Sequence, residues 1–340
     1  EGIYIRAGVK LTLSGYNLET GITISVDAEI QQTGACIMPS RLFFDIIRKL
    51  PDDTVSISVD EKFKVSIRGG ISSFTITAMS SEDYPELPEV ESDKGISLPQ
   101  NELKAMIGGT SFAVSENQAR PIHTGCLFEV EDTSITVVAV DGYRLALRRW
   151  KSEEPIGRTL KFVVPAAALK EAEKILGDTD DPCTFFLGSK HILFTIGEAT
   201  LVCRLLEGEF LDWRRVLPQN QPVKLAVNVA KMTDSIERVG LIISEKLKSP
   251  VRCKFGENTA DFRSVSTIGE AHDVCQIAGD GQDMEIGFNC RYLLDALRAI
   301  PDAECSLELI NGLSPIVMNP CDGSERYSYM VLPVRLKAGE

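Results

Sequence analysis

The amino-acid sequence predicts an α+β fold made of three copies of one small domain. Two observations lead to this prediction: a strand–helix pattern that occurs three times, and runs of alternating strands that follow each copy. The pattern is a short apolar strand, a proline or asparagine, an amphipathic helix and a polar stop, and it occupies residues 36–53, 162–179 and 285–303. Successive copies are about 125 residues apart, which is the length of one small domain.

Each copy places a residue suited to a helix N-terminus where its helix should begin. Pro39 and Pro165 fit because a first-turn N–H has no partner within the helix, and Asn289 can cap that turn with its side chain. The spacing of apolar residues predicts five helical stretches, at 39–50, 101–112, 165–176, 228–248 and 287–300.

A second unit of alternating strands is interleaved with the first, at residues 2–26, 125–149 and, more weakly, 251–275. Within it, the segment VVAVDGYRLALRR (137–149) predicts a β-hairpin that turns at Asp141-Gly142. We expect Asp141 to shape this turn. We therefore do not expect it to form a catalytic cluster with the tyrosine and arginine that follow.

The repeats predict three domains, at residues 1–93, 94–218 and 219–340, each made of two strand–helix–strands halves. The second domain places about 30 residues before its hairpin unit, whereas the first has only Glu1 there. We therefore expect the first domain to lack a strand and a helix at its start.

The composition is that of a soluble globular protein: 44% of the 340 residues are hydrophobic and 25% are charged. No apolar run is long enough for a membrane helix, and no signal-peptide pattern is present, so a cytoplasmic location is expected.

The nine cysteines are scattered without a CxxC spacing. This excludes a recognisable zinc or disulfide framework and favours cysteines that act as small buried apolar residues.

No catalytic, phosphate-binding or metal-binding motif occurs in the sequence. We accordingly expect no catalytic residue, no metal and no cofactor. An enzyme whose site assembles from distant residues stays open as the least favoured alternative.

The charge distribution is compatible with binding of a nucleic acid despite a net charge of −13. The five helical stretches together carry +4, so the rest of the chain carries −17. Helices that faced one way could hold a phosphate backbone; the alternative is that each basic side chain serves only to solvate its helix. The candidate DNA-facing residues are Arg41, Arg48, Lys49, Lys104, Arg120, Lys170, Lys231, Arg238, Lys246 and Arg291.

Five motifs, taken in order, give the chain a family resemblance. They are RPIHTGCLFE (120–129), VDGYRLAL (140–147), GEFLDWRRVLP (208–218), MEIGFNCRYLLDAL (284–297) and YMVLPVRL (329–336). With these motifs and the triple repeat, the chain resembles the DNA polymerase III beta subunits, the sliding clamps of bacterial replication.

The resemblance implies a non-catalytic processivity factor: a head-to-tail homodimer whose six domains close a ring around duplex DNA. In such a ring the helices line the hole and the sheets form the outer wall. One departure concerns DNA contacts, because Ala166 and Ala167 stand where clamps often carry basic residues. The alternative from another class is a ring or arc that recruits peptides without binding DNA.

The resemblance also implies a groove between the middle and last domains. There the polymerase III catalytic subunit, the clamp loader, other polymerases and repair proteins insert a short peptide. The implied groove residues are His123, Val140, Gly142, Tyr143, Arg144, Leu145, Leu211, Arg215, Val216, Leu313, Pro315, Met330, Leu332, Pro333, Val334, Arg335 and Leu336.

Within this set we expect different roles. Leu145, Val216, Met330 and Leu332 can bury a partner's leucine or phenylalanine. Arg144 and Arg215 can hold polar groups at the rim, and the charge of His123 can make binding depend on pH. The alternative is that these residues form only an interdomain core.

Overall fold

The computed structural model describes residues 2–51, 54–243 and 249–336; Lys246 of the predicted DNA-facing set lies outside them. The α-helices in these residues are α1 (Ser40–Lys49), α2 (Gln100–Gly108), α3 (Ala166–Ile175), α4 (Trp213–Val216), α5 (Val229–Gly240) and α6 (Cys290–Arg298). The strands are β1 (Gly2–Ala7), β2 (Leu11–Tyr16), β3 (Thr20–Val26), β4 (Gly34–Pro39), β5 (Ser56–Val59), β6 (Lys64–Gly69), β7 (Ser72–Thr77), β8 (Ile96–Pro99), β9 (Gly125–Glu131), β10 (Ser134–Val140), β11 (Arg144–Lys151), β12 (Leu160–Pro165), β13 (Pro182–Leu187), β14 (His191–Ile196), β15 (Ala199–Arg204), β16 (Val223–Asn228), β17 (Val251–Ser266), β18 (Gly269–Phe288), β19 (Glu304–Leu309), β20 (Ile316–Pro320) and β21 (Tyr327–Val331).

The helices begin where the sequence predicts. Helix α1 follows Pro39 directly. The side chain of Asn289 accepts a hydrogen bond from the backbone N–H of Tyr292 at 3.2 Å, which caps α6 as predicted. Asn228 caps α5 in the same way. Two helices end earlier than predicted. Helix α2 ends at Gly108 instead of residue 112, and α5 ends at Gly240 instead of residue 248.

The first compact unit comprises residues up to Gln100 together with Ile175–Arg204. It holds an eight-stranded antiparallel sheet in the order β4-β1-β2-β3-β15-β14-β13-β8 and a three-stranded sheet in the order β5-β6-β7. Helix α1 buries Phe43 and Ile46 in a core that also contains Met38 and Ile67.

The second unit comprises Asn101–Lys174 and the chain from Leu205 onward. Its ten-stranded antiparallel sheet has the order β12-β9-β10-β11-β21-β20-β19-β16-β18-β17. Helix α5 packs on β17, β18 and α6. Every residue of β10 is buried, so the predicted hairpin forms and lies inside the unit.

Strands of neighbouring repeats join in shared sheets, which the repeat pattern does not predict. Strand β3 of the first repeat pairs with β15 of the second, and β11 of the second pairs with β21 of the third. The middle repeat thus contributes strands to both compact units. The boundaries after residues 93 and 218 stay predictions.

The cysteines behave as the sequence predicts. All nine are free thiols, and all except Cys290 and Cys321 are buried. Burial raises the pKa of Cys126 and Cys203 to about 12, which keeps both thiols protonated and unreactive.

Among the described residues there is no cluster of three metal-ligating side chains and no helix long and apolar enough to cross a membrane.

Candidate functional site

The turn between β10 and β11 is built by Asp141. Its Oδ1 accepts hydrogen bonds from the backbone N–H groups of Tyr143 at 2.9 Å and Arg144 at 3.0 Å. Gly142 has φ of +92°, a conformation that a side chain would strain. These contacts confirm that Asp141 shapes the turn. The carbonyl of Tyr143 accepts a hydrogen bond from Leu332 at 2.8 Å, which joins the turn to the chain just after β21.

Arg144 lies in the interior, so its predicted role at the groove rim is wrong. Only 7% of the residue is exposed. Its guanidinium bonds to Asp141 at 2.9 Å, to Asp295 at 2.6 Å and to the carbonyl of Phe112 at 2.7 Å. The same group lies 4.4 Å from the ring centre of Tyr292. Apart from Asp141, these partners lie far from Arg144 in the chain, and for that reason the local motif did not reveal them.

The floor of the predicted groove is the top of a hydrophobic core. Val140, Leu145 and Met330 are only 3%, 1% and 3% exposed, and they pack with Trp213 in one cluster. For these three residues the core alternative describes the structure better than direct exposure to a partner does. Leu332 is half-buried against the same cluster, so the accessible apolar surface lies at its edge.

One predicted wall is formed by helix α4 and the residue pair before it. Leu211 packs on the core edge, Val216 is exposed, and Arg215 extends into solvent with 87% of its side chain accessible. Arg215 pairs with Asp212 at 3.0 Å. Unlike Arg144, it is placed where a rim residue should be.

A pocket of about 370 Å³ opens beside this wall. Predicted groove residues His123 and Leu211 line it, together with residues the sequence reasoning did not select: Ile122, Glu209, Phe210 and Asp212. These four residues lie inside the RPIHTG and GEFLDWRR motifs, so membership of those motifs could have identified them as pocket residues. Arg120 also lines the pocket and lies on no α-helix, and its contact with DNA stays a prediction.

The surroundings of His123 favour its neutral form. Its ring meets Phe210 edge-on, with the ring centres 5.3 Å apart. Burial, and secondarily the charge of Arg120, lower the pKa of His123 below its usual value. Protonation of this ring therefore opposes its packing in the pocket.

The remaining groove residues lie in the loop between β19 and β20 and in the segment that follows β21. Leu313 is exposed, and Pro315 and Pro333 are half-buried. Val334 donates its N–H to the carbonyl of Gly287 at 2.8 Å. A Cβ on Gly287 would stand 2.5 Å from the Leu336 side chain and 2.9 Å from the backbone carbonyl oxygen of Val334, so glycine permits this close approach. Arg335 is exposed beside them.

The described DNA-facing candidates other than Arg120 all lie on helices. In the first unit Arg41, Arg48 and Lys49 are exposed on α1. In the second unit Lys104 is on α2, Lys170 on α3, Lys231 and Arg238 on α5, and Arg291 on α6. Some of these charges are partly balanced by acids, since Arg238 pairs with Asp273 and Arg48 with Asp45. Whether they share one face stays a prediction.

Three family models match the chain in order. They describe the N-terminal, central and C-terminal domains of the DNA polymerase III beta subunit, at residues 1–88, 97–212 and 214–335. Because three clamp domains of mixed helix and strand are matched, the predicted fold class is confirmed.

Curated relatives and solved structures indicate the same family as the three family models. The chain is 32% identical over 341 residues to a beta sliding clamp of Staphylococcus epidermidis, covering 96% of this chain and 89% of the relative. One from Staphylococcus aureus is 32% identical over 337 residues, covering 96% and 88%. The sliding clamp of Bacillus subtilis superimposes with a TM-score of 0.92 at 29% identity, covering 99% of this chain and 91% of that one. A putative beta subunit from Eubacterium rectale gives 0.92 at 32% identity, covering 98% and 90%.

Proposed function

Since this chain belongs to the DNA polymerase III beta subunit family, the beta sliding clamps, we propose that it closes a ring around duplex DNA and tethers the replicative polymerase. Members of this family are non-catalytic processivity factors. The observation that carries the proposal is the match to all three clamp domains in their order along one chain. The ring would hold DNA by enclosure, so tight binding to bases is not required.

The edges of the sheets support assembly from copies of this chain. Strand β7 is an edge of the first unit's small sheet and exposes Phe74. In the second unit, β16 pairs with β18 only at Ile277 and Ala278, so the outer part of β18, with exposed Val274, offers a second edge. Exposed apolar edges favour pairing with another chain. Two unlike edges on one chain fit a head-to-tail contact, which yields a ring when the rotation closes.

The basic helix residues suit weak, sequence-independent contacts with phosphates. Lys170, Lys231 and Arg291 are exposed, and Arg291 also lies 3.9 Å from Asp295. Neighbouring acids weaken each contact, which suits a protein that must slide. We place the protein in the bacterial cytoplasm, where replication proceeds.

The groove supports recruitment of partners. The half-buried edge formed by Leu211, Leu332 and exposed Val216 can cover an apolar side chain of an extended peptide. The flexible thioether of Met330 beneath can adapt to leucine or phenylalanine. We propose that the polymerase catalytic subunit, the clamp loader, other polymerases and repair proteins share this groove.

Primer extension on a circular template tests the proposal. The cognate polymerase, its clamp loader and this protein are combined, and product length is compared with reactions that lack the loader or this protein. We expect longer products only in the complete mixture. No loader-dependent gain, combined with peptide binding, would instead identify a scaffold that recruits peptides without DNA. A solution mass near twice 37.3 kDa is expected for the closed ring.

A further inference from the structure

The turn that carries one groove wall is too short to be stable alone. Helix α4 is a single turn, Trp213–Val216, and no side chain caps its start at Asp212. Short isolated helices are unstable because nucleation costs more than one or two hydrogen bonds return. Leu211, Arg215 and Val216 lie on this turn or just before it. The position of the wall must therefore come from contacts with the rest of the unit.

Glu129 on β9 supplies those contacts. The residue is only 7% exposed. Its Oε2 accepts hydrogen bonds from the indole Nε1 of Trp213 at 3.0 Å and from the guanidinium of Arg214 at 2.8 Å. Lys161, directly opposite on β12, approaches its Oε1 at 3.2 Å. The guanidinium of Arg214 lies 4.2 Å from the ring of Trp213 and also donates to Glu131 at 3.2 Å.

The network fixes both the place and the rotation of the turn. The side chain of Trp213 inserts into the core cluster, and the only polar atom of that side chain, Nε1, donates a hydrogen bond to the carboxylate of Glu129. Arg214, the next residue, donates a hydrogen bond to the same oxygen. Two adjacent side chains bonded to one atom leave the turn little freedom to rotate, so Arg215 and Val216 are presented on the remaining face.

The carboxylate keeps its charge at neutral pH. Burial alone raises the pKa of Glu129, but the hydrogen bonds from Trp213 and Arg214 outweigh burial and hold the pKa below its usual value. A buried charge with good partners is tolerated, whereas removal of one partner leaves the others unsatisfied.

We propose that Glu129 is a positioning residue of the peptide groove, holding α4 so that Leu211, Arg215 and Val216 form a wall before a peptide arrives. Glu129 lines neither the pocket beside α4 nor the predicted groove, so its influence is indirect. A preformed wall spares the peptide the cost of ordering the turn. This inference rests on the proposed function of the groove.

The test compares Glu129→Ala and Glu129→Gln with the matched control Asp302→Ala. Asp302 also accepts from an aromatic residue and an arginine, Tyr327 at 3.1 Å and Arg326 at 3.1 and 3.2 Å, and neither partner is on α4. Affinity for a short fluorescein-labelled peptide containing a leucine–phenylalanine pair is measured by anisotropy on the full-length chain. We expect Glu129→Ala to weaken binding by about tenfold or more, and Asp302→Ala to change it by no more than about twofold.

Tryptophan emission separates positioning from a general loss of stability. The chain has two tryptophans, so a Trp150→Phe background leaves Trp213 as the reporter. Removal of Glu129 should shift the emission to longer wavelength, and saturating peptide should partly reverse the shift. Glu129→Gln keeps an acceptor for the indole, so both its affinity and its emission should lie between those of the wild type and Glu129→Ala.

The outcomes distinguish the inference from the proposed function. If the unsubstituted protein does not bind the peptide, the proposed groove is wrong. If it binds and Glu129→Ala binds equally well, only the positioning role is overturned. Should Glu129→Ala fail to fold, Glu129→Gln decides: weakened binding with a native melting temperature supports the role, and unchanged binding refutes it.

Discussion

Replacing Arg144 by alanine should destabilise the second unit by about 3–5 kcal/mol, the usual effect of removing one partner from a buried ion pair. The side chain of Arg144 is 7% accessible, and those of Asp141 and Asp295 are 11% and 23% accessible. The substitution removes the Arg144 guanidinium from both carboxylates, leaves Asp295 with only the exposed Arg291 at 3.9 Å, and also removes the bond to the carbonyl of Phe112. The cost comes mainly from the desolvated charges that stay behind.

Arg215→Ala is the matched control. Arg215 pairs with Asp212 in the same i,i+3 relation that joins Arg144 to Asp141, at nearly the same distance, but its side chain is 87% accessible. Solvent screens an exposed pair, so the control should lose no more than about 1 kcal/mol. The two substitutions thus differ chiefly in burial.

Urea unfolding followed by tryptophan fluorescence measures this difference. Trp150 and Trp213 both belong to the second unit, so the signal reports the unit that contains Arg144. The midpoint multiplied by the slope gives the free energy of unfolding. If Arg144→Ala and Arg215→Ala lose equal amounts, below about 1 kcal/mol, the buried network does not stabilise the unit as argued.

Three further predictions concern the groove. Met330→Ala combined with Leu332→Ala should abolish peptide binding and leave the dimer intact; unchanged affinity by calorimetric titration would refute the assignment. Gly142→Ala should cost about 1 kcal/mol or more in urea unfolding because φ is +92° there, and an unchanged midpoint would contradict the strain. The pKa of His123 is lowered from 6.5 in the folded state, so its contribution to stability is complete above pH 6.5 and is lost as pH falls through the folded value. Melting temperature measured against pH should therefore fall less steeply for His123→Phe in that acidic range, and equal slopes would count against this role.

The sequence predicted the elements well because their signals are local. Proline or asparagine beside an amphipathic run places α1 and α6, and Asp141-Gly142 places the hairpin turn. These features depend on neighbouring residues, whose chemistry the sequence displays directly. Helix ends were less accurate, as at Gly108, where consecutive glycines stop α2 before the apolar pattern does.

The site was harder to predict because burial and pairing depend on distant residues. The sequence around Arg144 predicts a rim residue, whereas its bonds to Asp295 and to the carbonyl of Phe112 hold it in the interior. The joining of β11 to β21 buries Leu145 and Met330 opposite each other, and no spacing within either segment indicates that pairing. Glu129 ends the RPIHTGCLFE motif, yet its partner Trp213 lies 84 residues further along the chain.

Two buried charge networks thus support different walls of one predicted groove. Arg144 bonds to Asp141 beneath the Tyr143 turn, and Glu129 bonds to Trp213 beneath α4. Both supported segments are short turns, which by themselves gain too little from local hydrogen bonds to hold one conformation. A groove that must accept many peptides gains affinity when its walls are ordered in advance, because each peptide then avoids that entropic cost. Charged residues beneath the surface can therefore govern binding without touching the peptide, and substitutions there should affect all partners alike, whereas substitutions at exposed Val216 should discriminate among them.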